Sequence, residues 1–155
     1  MKLNFMIAQI EKDTLQRFIL MPYLVKIFQG VMILFNAALN YGYSILLSSI
    51  NRQVVSNGYI TQIGIFHDNM FNQFNLSSDL IEPWRGLVDY HVYNSVKKTF
   101  DQGQKFELIN LLNKEISIDN KNTRVNQAID IYFRSVFDAL NNRDLSLLRF
   151  PKYEL

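Results

Sequence analysis

Apolar residues between positions 36 and 54 recur at the 3.6-residue period of an α-helix, and this pattern limits the possible folds more than any other feature. Asn36 is a residue type that caps helix starts, and Gly58 is one that ends helices because glycine adopts positive φ without steric cost. We therefore predict a helix from Asn36 to Gly58. Its core-facing side chains would be Leu39, Tyr43, Leu46, Leu47, Ile50 and Val54.

Three further helices are predicted downstream, so the expected fold class is all-α. The second begins where Ser77 or Ser78 can accept the free N–H groups of a first turn, and Pro83 is tolerated near this end. Residues 101–105 interrupt the pattern before the third helix, and a fourth runs from Val125 to Leu140. The expected inward side chains of the second helix are Leu80, Trp84, Leu87, Val88, His91 and Val92. Those of the third helix are Phe106, Ile109, Leu111 and Leu112, and those of the fourth are Ala128, Ile129, Tyr132, Val136 and Phe137.

The segment of residues 116–125 alternates in polarity and contains turn-forming residues from Asp119 to Asn122. Such a pattern is typical of a small β-hairpin or of an irregular loop, and the sequence alone leaves both open.

The composition is that of an ordinary globular domain. The chain has 155 residues, 48% of them hydrophobic, no cysteine, and a formal net charge of +2. The absence of cysteine excludes disulfide scaffolds and thiolate metal sites, and it fits a cytoplasmic location. Residues 18–35 are almost continuously apolar, but Pro22, Lys26 and Gln29 interrupt them, so we predict no membrane association.

His67 and Glu82 are the candidate site residues because they flank a polar, asparagine-rich stretch. A loop followed by a helix could bring them together, and an imidazole with a carboxylate suits Mg²⁺ or Mn²⁺. From spacing alone, a hydrogen-bonded loop histidine and a surface glutamate explain the pattern better.

The order of motifs changes this assessment. The stretches NAALNYGYSILLSSINRQVVSNG (36–58), IGIFHDNMFNQFNLSSDLIEPWRGLVD (63–89) and RVNQAIDIYFRSVFDALNN, with the closing RFPKYEL, resemble one family from about Phe35 to Leu155. That family is the CRISPR-associated integrase, an endonuclease that inserts spacers into a CRISPR array, and the resemblance is to the helical C-terminal domain of its type II branch.

The resemblance implies a metal-dependent DNA endonuclease of CRISPR adaptation with Mg²⁺ or Mn²⁺ as cofactor. His67 in IGIFH and Glu82 in DLIEPWR match the family's second and third metal ligands, so both are expected to be catalytic and metal-binding. The expected partners are protospacer and repeat DNA, a second copy of the chain, and the second CRISPR-associated protein.

Residues 1–34 do not resemble the family, whose first glutamate lies in a motif similar to Glu-Gly-His-Ala-Ala-Lys-Val-Tyr-Phe. Glu11 lies at about the right distance from His67, but its neighbours do not match. In a shifted reading frame, each codon consists of the last base of one codon and the first two bases of the next. The codons that can encode residues 11–33 allow this shifted frame to encode the family's motif, followed by Ser-Arg-Arg-Asp-Asp. We therefore predict a frame-shifted segment at 1–34, an integrase domain at 35–155, and no N-terminal β domain.

The chain is therefore expected to be a truncated form of the family. Because it lacks the first metal ligand, it is also expected to be catalytically impaired. The alternative is a non-catalytic helical remnant that only binds a partner protein or DNA, and a weaker one is a membrane-associated helical protein that uses residues 18–35.

Several other side chains have two interpretations. Asp79 and Arg85 either support the metal ligands or form a local ion pair with each other. His91 is more typical of a packed core histidine than of a ligand, and Tyr43 is more typical of packing than of base stacking. The remaining residues considered for DNA contact are Tyr41, Arg52, Arg85, Lys97 and Lys98, and a packed or solvated helix surface explains them nearly as well.

The frameshift hypothesis predicts the codons of residues 11–33. We expect the gene, read in the shifted frame, to encode the Glu-Gly-His motif, and to continue upstream into a β-rich domain. Sequencing this region and its flank checks the prediction. Codons that exclude the motif would contradict it and would return Glu11 as a candidate ligand.

Overall fold

The computed structural model describes the backbone of residues 21–95 and 99–152, with side chains from residue 28 onward. This part of the chain is mostly helical, which confirms the predicted class, and it adds a small three-stranded sheet. The helices are α1 (Met21–Ser56), α2 (Asn75–Leu80), α3 (Arg85–Ser95), α4 (Gln102–Asn110) and α5 (Val125–Asn142). Short 3₁₀ turns span Glu82–Trp84, Leu111–Asn113 and Leu145–Leu147, and the strands are β1 (Glu115–Ile118), β2 (Lys121–Arg124) and β3 (Pro151–Lys152).

Helix α1 begins much earlier than predicted. It runs without a break through Asn36, so the prediction that Asn36 caps a helix is wrong. The described part of this helix starts at Met21 and includes Pro22, and the apolar residues that follow are compatible with a helix. The helix also crosses the predicted domain boundary at residues 34 and 35.

The predicted end of α1 at Gly58 is confirmed by its hydrogen bonds. The Gly58 N–H donates to the Val55 carbonyl (3.0 Å), and the Tyr59 N–H donates to the Val54 carbonyl (3.1 Å). Gly58 has φ of 80°, so the two bonds form the usual glycine-terminated helix end. The chain is thereby turned into the loop that carries His67.

The C-terminal half of α1 is the central element of the core. Ala38, Leu46, Ile50 and Val54 are buried, and the helix contacts α2, α3, α4 and α5. By length and composition alone, its stretch from Phe28 to Ser56 is also long and apolar enough to cross a membrane. Only 17% of the most apolar window of that stretch is buried within the described part of the domain.

The predicted second helix is divided into α2, the 3₁₀ turn and α3. Pro83 lies within the 3₁₀ turn that separates the two helices. The predicted face is largely correct, since Leu80, Trp84, Val88 and Val92 are buried. Neither serine caps α2, because the helix already begins at Asn75. The buried Ser77 hydroxyl instead donates to Asn51 Oδ1 (2.9 Å) and joins α2 to α1.

The inward face of α4 differs from the prediction. Phe106 and Ile109 are 63% and 44% exposed, whereas Leu108, which was not predicted, is buried; the expected burial of Leu111 is confirmed. Asp101 caps the start of the helix, and its carboxylate accepts the Gly103 and Gln104 N–H groups. Residues 102–105 are therefore the first turn of the helix and not a break in it, and the face with Leu108 turns toward α1.

The hairpin alternative for residues 116–125 is confirmed. Strands β1 and β2 pair antiparallel from Glu115↔Arg124 to Ile118↔Lys121, and Asp119 and Asn120 form the turn at φ of 51° and 58°. Positive φ at both positions is the geometry that favours tight hairpins with Asp or Asn. Strand β3 adds to the other edge of β1.

Helix α5 matches its prediction closely. Ala128, Ile129, Tyr132 and Val136 are buried as expected, and Phe133 joins them. The regular helical spacing of its apolar residues allowed this helix to be predicted from the sequence.

The crossing of α1 and α3 predicts different effects for two glycines of one helix. A Cβ on Gly42 would lie 2.5 Å from Val88 Cγ1, whereas a Cβ on Gly30 would meet nothing within 4 Å. We expect Gly42→Ala to lower the free energy of unfolding by about 1–2 kcal/mol, because crowding outweighs the helix-propensity gain. Gly30→Ala should raise it slightly. Urea denaturation checks both, and equal effects would contradict this packing.

Candidate functional site

The loop that carries His67 is held by the carboxylate of Asp79, on α2. One carboxylate oxygen accepts the N–H groups of Ile65 (2.6 Å) and Phe66 (2.9 Å), and the other accepts the His67 N–H (3.1 Å). The Asp79 side chain is 9% exposed, whereas the residues Ile65 and Phe66 that donate to it are themselves exposed. The loop backbone is thus fixed to α2 over three consecutive residues.

The same carboxylate also orients the His67 ring. The ring Nδ1 lies 2.5 Å from Asp79 Oδ1. Because an ionised carboxylate only accepts hydrogen bonds, Nδ1 carries the proton and donates it, which leaves the lone pair of a neutral ring on Nε2. A carboxylate behind an imidazole is the arrangement that fixes the tautomer of metal-binding histidines.

The charge state of Asp79 follows from its surroundings. Burial alone would raise the pKa of its carboxyl, but the N–H groups of Phe66, His67 and Ile65 and the His67 ring outweigh burial and lower the pKa. Asp79 is therefore ionised at neutral pH and is already committed as a hydrogen-bond acceptor.

Glu82 and His67 line one pocket of about 410 Å³. Its other walls are Ile65, Phe66, Asp79, Leu80, Tyr132 and Val136. Glu82 begins the 3₁₀ turn directly after α2, so the turn places its side chain on the side of the domain that His67 occupies. The structure thus brings the two predicted ligands together, while their role as ligands stays a prediction.

Tyr132 of α5 forms the buried side of this pocket. Burial, with the nearby Asp79 charge, raises the pKa of its hydroxyl to about 12. Its ring packs edge-on against Trp84, with ring centroids 5.9 Å apart. The residue therefore stays protonated and closes the pocket with an aromatic wall. The sequence marked Tyr132 only as a core residue.

Arg85 contacts Glu82 and not Asp79. Its Nε donates to Glu82 Oε1 at 2.9 Å, and its guanidinium carbon lies 4.8 Å from the centre of the Tyr43 ring. The Tyr43 hydroxyl in turn donates to Asp89. Asp79 and Arg85 therefore do not form an ion pair with each other. Asp79 contacts His67, and Arg85 contacts Glu82. Nothing in the sequence pattern indicated that Asp89 accepts a hydrogen bond from Tyr43.

The other sequence candidates lie elsewhere. His91 is 12% exposed and outside the pocket; burial and the Lys114 charge lower the pKa of its ring, so it is a packed histidine. Tyr41 packs edge-on against Phe100, and Arg52 is exposed. Glu11, Lys97 and Lys98 lie outside the described residues.

The donor chemistry of the pocket suits a hard divalent cation in kind, though not in number. His67 Nε2 and the Glu82 carboxylate are the available donors, and Mg²⁺ or Mn²⁺ would complete its shell with waters. Within residues 21–95 and 99–152, no three or more histidine, aspartate or glutamate side chains gather closely enough to hold a metal ion.

Comparison with known proteins assigns the family. The profile of the family "CRISPR associated protein Cas1" matches residues 34–123, which is more than half of the chain. The chain is 34% identical over 122 residues to the CRISPR-associated endonuclease Cas1 of Neisseria meningitidis, across 76% of this chain and 40% of that protein. It is 40% identical over 62 residues to CRISPR-associated protein Cas1 3 of Methanobrevibacter ruminantium, across 39% of this chain and 19% of that protein.

The fold and the site together define a mostly helical domain with a pocket lined by a histidine and a carboxylate. The chain belongs to the Cas1 family, as the resemblance implied. It spans less than half the length of the curated relatives it matches.

The Asp79 contacts predict a large effect of one substitution. We expect Asp79→Ala to lower the free energy of unfolding by about 1–3 kcal/mol, because it leaves three loop N–H groups and the His67 ring without their acceptor. Amide hydrogen exchange at residues 65–67 should also accelerate. The matched control is Asp68→Ala, since Asp68 is an exposed aspartate of the same loop. Unchanged exchange in Asp79→Ala would contradict the role of this carboxylate.

Proposed function

We propose that this chain is the metal-binding helical part of a DNA endonuclease and integrase of CRISPR adaptation. The observation that carries the proposal is the shared pocket of His67 and Glu82, with the His67 Nε2 lone pair left available by Asp79. His67 and Glu82 lie within residues 34–123, which match the family profile, while the pocket walls Tyr132 and Val136 lie beyond that range. Substrate and reaction are proposed from the family and from the printed name of the Neisseria relative.

The proposed site would hold Mg²⁺ or Mn²⁺ through His67 Nε2 and the Glu82 carboxylate, and both residues would be catalytic. When bound, the cation would stabilise charge on a phosphodiester and activate a hydroxyl or water. Asp79 keeps the proton on Nδ1 and fixes the direction of Nε2. Ile65, Phe66 and Leu80 line the pocket beside the two donors.

We further propose that the chain, as this sequence gives it, is catalytically impaired. Residues 1–34 contain no match to the family's first glutamate motif, and the family profile begins to match at residue 34. Two ligands bind a divalent cation more weakly than three, and phosphoryl transfer depends on that charge. The division into a frame-shifted segment at 1–34 and a domain at 35–155 is part of this proposal.

The proposed partners are those of a spacer-integrating complex: protospacer and repeat DNA, a second copy of the chain, and the second CRISPR-associated protein. The proposed location is the cytoplasm, without membrane association.

The second candidate function is a non-catalytic domain that binds a partner protein or DNA. Two observations favour it: the absence of a three-ligand cluster in the described ranges, and the exposed apolar loop ahead of α2. In that loop Phe66, Met70 and Phe71 are each more than 85% exposed, which is typical of a contact surface.

The two functions predict different responses to substitution at the pocket. In the first, His67→Ala and Glu82→Ala each reduce Mn²⁺ affinity by at least about 10-fold and abolish the weak Mn²⁺-dependent cleavage of branched DNA. Calorimetric titration with Mn²⁺ and a gel-based cleavage assay measure these effects. Glu115→Ala, at an exposed glutamate outside the pocket, is the control. Equal Mn²⁺ binding in all four proteins would exclude the proposed site and leave the non-catalytic function.

A further inference from the structure

Arg85 is placed between a predicted metal ligand and an aromatic platform. Its Nε donates to Glu82 Oε1, and its guanidinium lies over the Tyr43 ring at 4.8 Å from the ring centre. The side chains of Arg85 and Glu82 are 40% and 53% exposed, so the pair is accessible to solvent beside the pocket that Glu82 lines. This position gives the guanidinium access to any ligand that enters beside Glu82.

The ion pair with Glu82 is easily exchanged. Pairs as exposed as this contribute little to stability, because solvent screens the charges and both side chains lose freedom. A divalent cation on Glu82 would compete for the same carboxylate and would repel the guanidinium. If the cation displaces the guanidinium from Glu82, Arg85 is left without this partner when the proposed site is loaded.

The Tyr43 platform keeps Arg85 near the pocket after such an exchange. Stacking of a guanidinium on an aromatic face does not depend on Glu82, and the hydroxyl of Tyr43 is itself bound to Asp89. A stacked guanidinium presents a fixed, planar set of donors, which is the geometry that binds phosphate oxygens.

We propose that Arg85 binds a DNA phosphate by partner exchange: it pairs with Glu82 in the metal-free protein and moves to a phosphate oxygen when Glu82 takes up the cation. This inference rests on the proposed function, since it requires both the cation and DNA at this pocket. It makes binding of the cation and binding of DNA mutually supportive.

A purely positioning role for Arg85 makes the opposite prediction. If Arg85 only holds the Glu82 carboxylate in place, its removal disorders a ligand and weakens Mn²⁺ binding. If Arg85 exchanges partners, its removal frees the carboxylate and removes a repelling charge, so Mn²⁺ binding becomes tighter. The sign of the change in Mn²⁺ affinity therefore separates the two roles.

The test uses the full 155-residue chain and three variants, Arg85→Gln, Arg85→Lys and Arg134→Gln. Arg134 is the matched control because it is also a helix arginine paired with a nearby carboxylate, 3.1 Å from Asp130, yet Asp130, unlike Glu82, does not line the pocket. Mn²⁺ alone is titrated by calorimetry. A fluorescein-labelled DNA duplex is titrated by anisotropy over a range of KCl concentrations, with and without Mn²⁺.

For Arg85→Gln we expect Mn²⁺ affinity to rise by up to about fivefold. DNA affinity in Mn²⁺ should fall roughly 5- to 10-fold at 0.1 M salt, and the slope of log affinity against log salt should become shallower by about 0.9. Without Mn²⁺ the DNA affinity should change little, since Glu82 then holds the arginine. Arg85→Lys should restore part of the salt slope, and Arg134→Gln should behave as the parent chain.

A second pair of variants tests the platform. Tyr43→Phe keeps the ring and should keep most of the Mn²⁺-dependent DNA affinity, whereas Tyr43→Leu removes the ring and should lose it. Weaker Mn²⁺ binding in Arg85→Gln, or an unchanged salt slope, overturns the exchange while the proposed function stands. Absence of Mn²⁺ binding by the parent chain overturns the proposed function and the exchange together.

Discussion

The carboxylate of Asp79 is the contact on which the rest of the site depends. It binds the backbone of residues 65–67 and the His67 ring, so one side chain both folds the loop and aims the imidazole. Gly64 permits this approach: a Cβ there would lie 2.2 Å from the His67 carbonyl and 2.8 Å from Asp79 Oδ2. The loop can close on α2 only because that position has no side chain.

The core explains why α2 is a stable base for this loop. The buried Ser77 hydroxyl ties α2 to Asn51 on α1, and Leu80 and Trp84 are buried beneath the pocket. Tyr132 of α5 closes the pocket from below. Side chains of α1, α2 and α5 therefore support the positions of His67 and Glu82. Support from several helices keeps the few donors of such a site in a fixed geometry.

How much of this the sequence could predict depended on whether the signal was local. The period of α5, the end of α1 at Gly58 and the turn at Asp119 were readable because each depends on neighbouring residues. The exposed Phe106 and the continuation of α1 through Asn36 were misjudged because packing and continuity, not local pattern, decide them. His67 and Glu82 came from the order of family motifs. The contacts of Asp79 with backbone N–H groups leave no trace in side-chain spacing, so the two interpretations for it could not be separated.

Anomalous X-ray diffraction from crystals soaked in Mn²⁺ would test the central claim most directly, which is that Asp79 leaves His67 Nε2 free to bind a cation together with Glu82. We expect an anomalous peak between His67 Nε2 and the Glu82 carboxylate, with Nδ1 still bound to Asp79. A peak at Nδ1 with Asp79 displaced, or no peak in this pocket at saturating Mn²⁺, would contradict the claim.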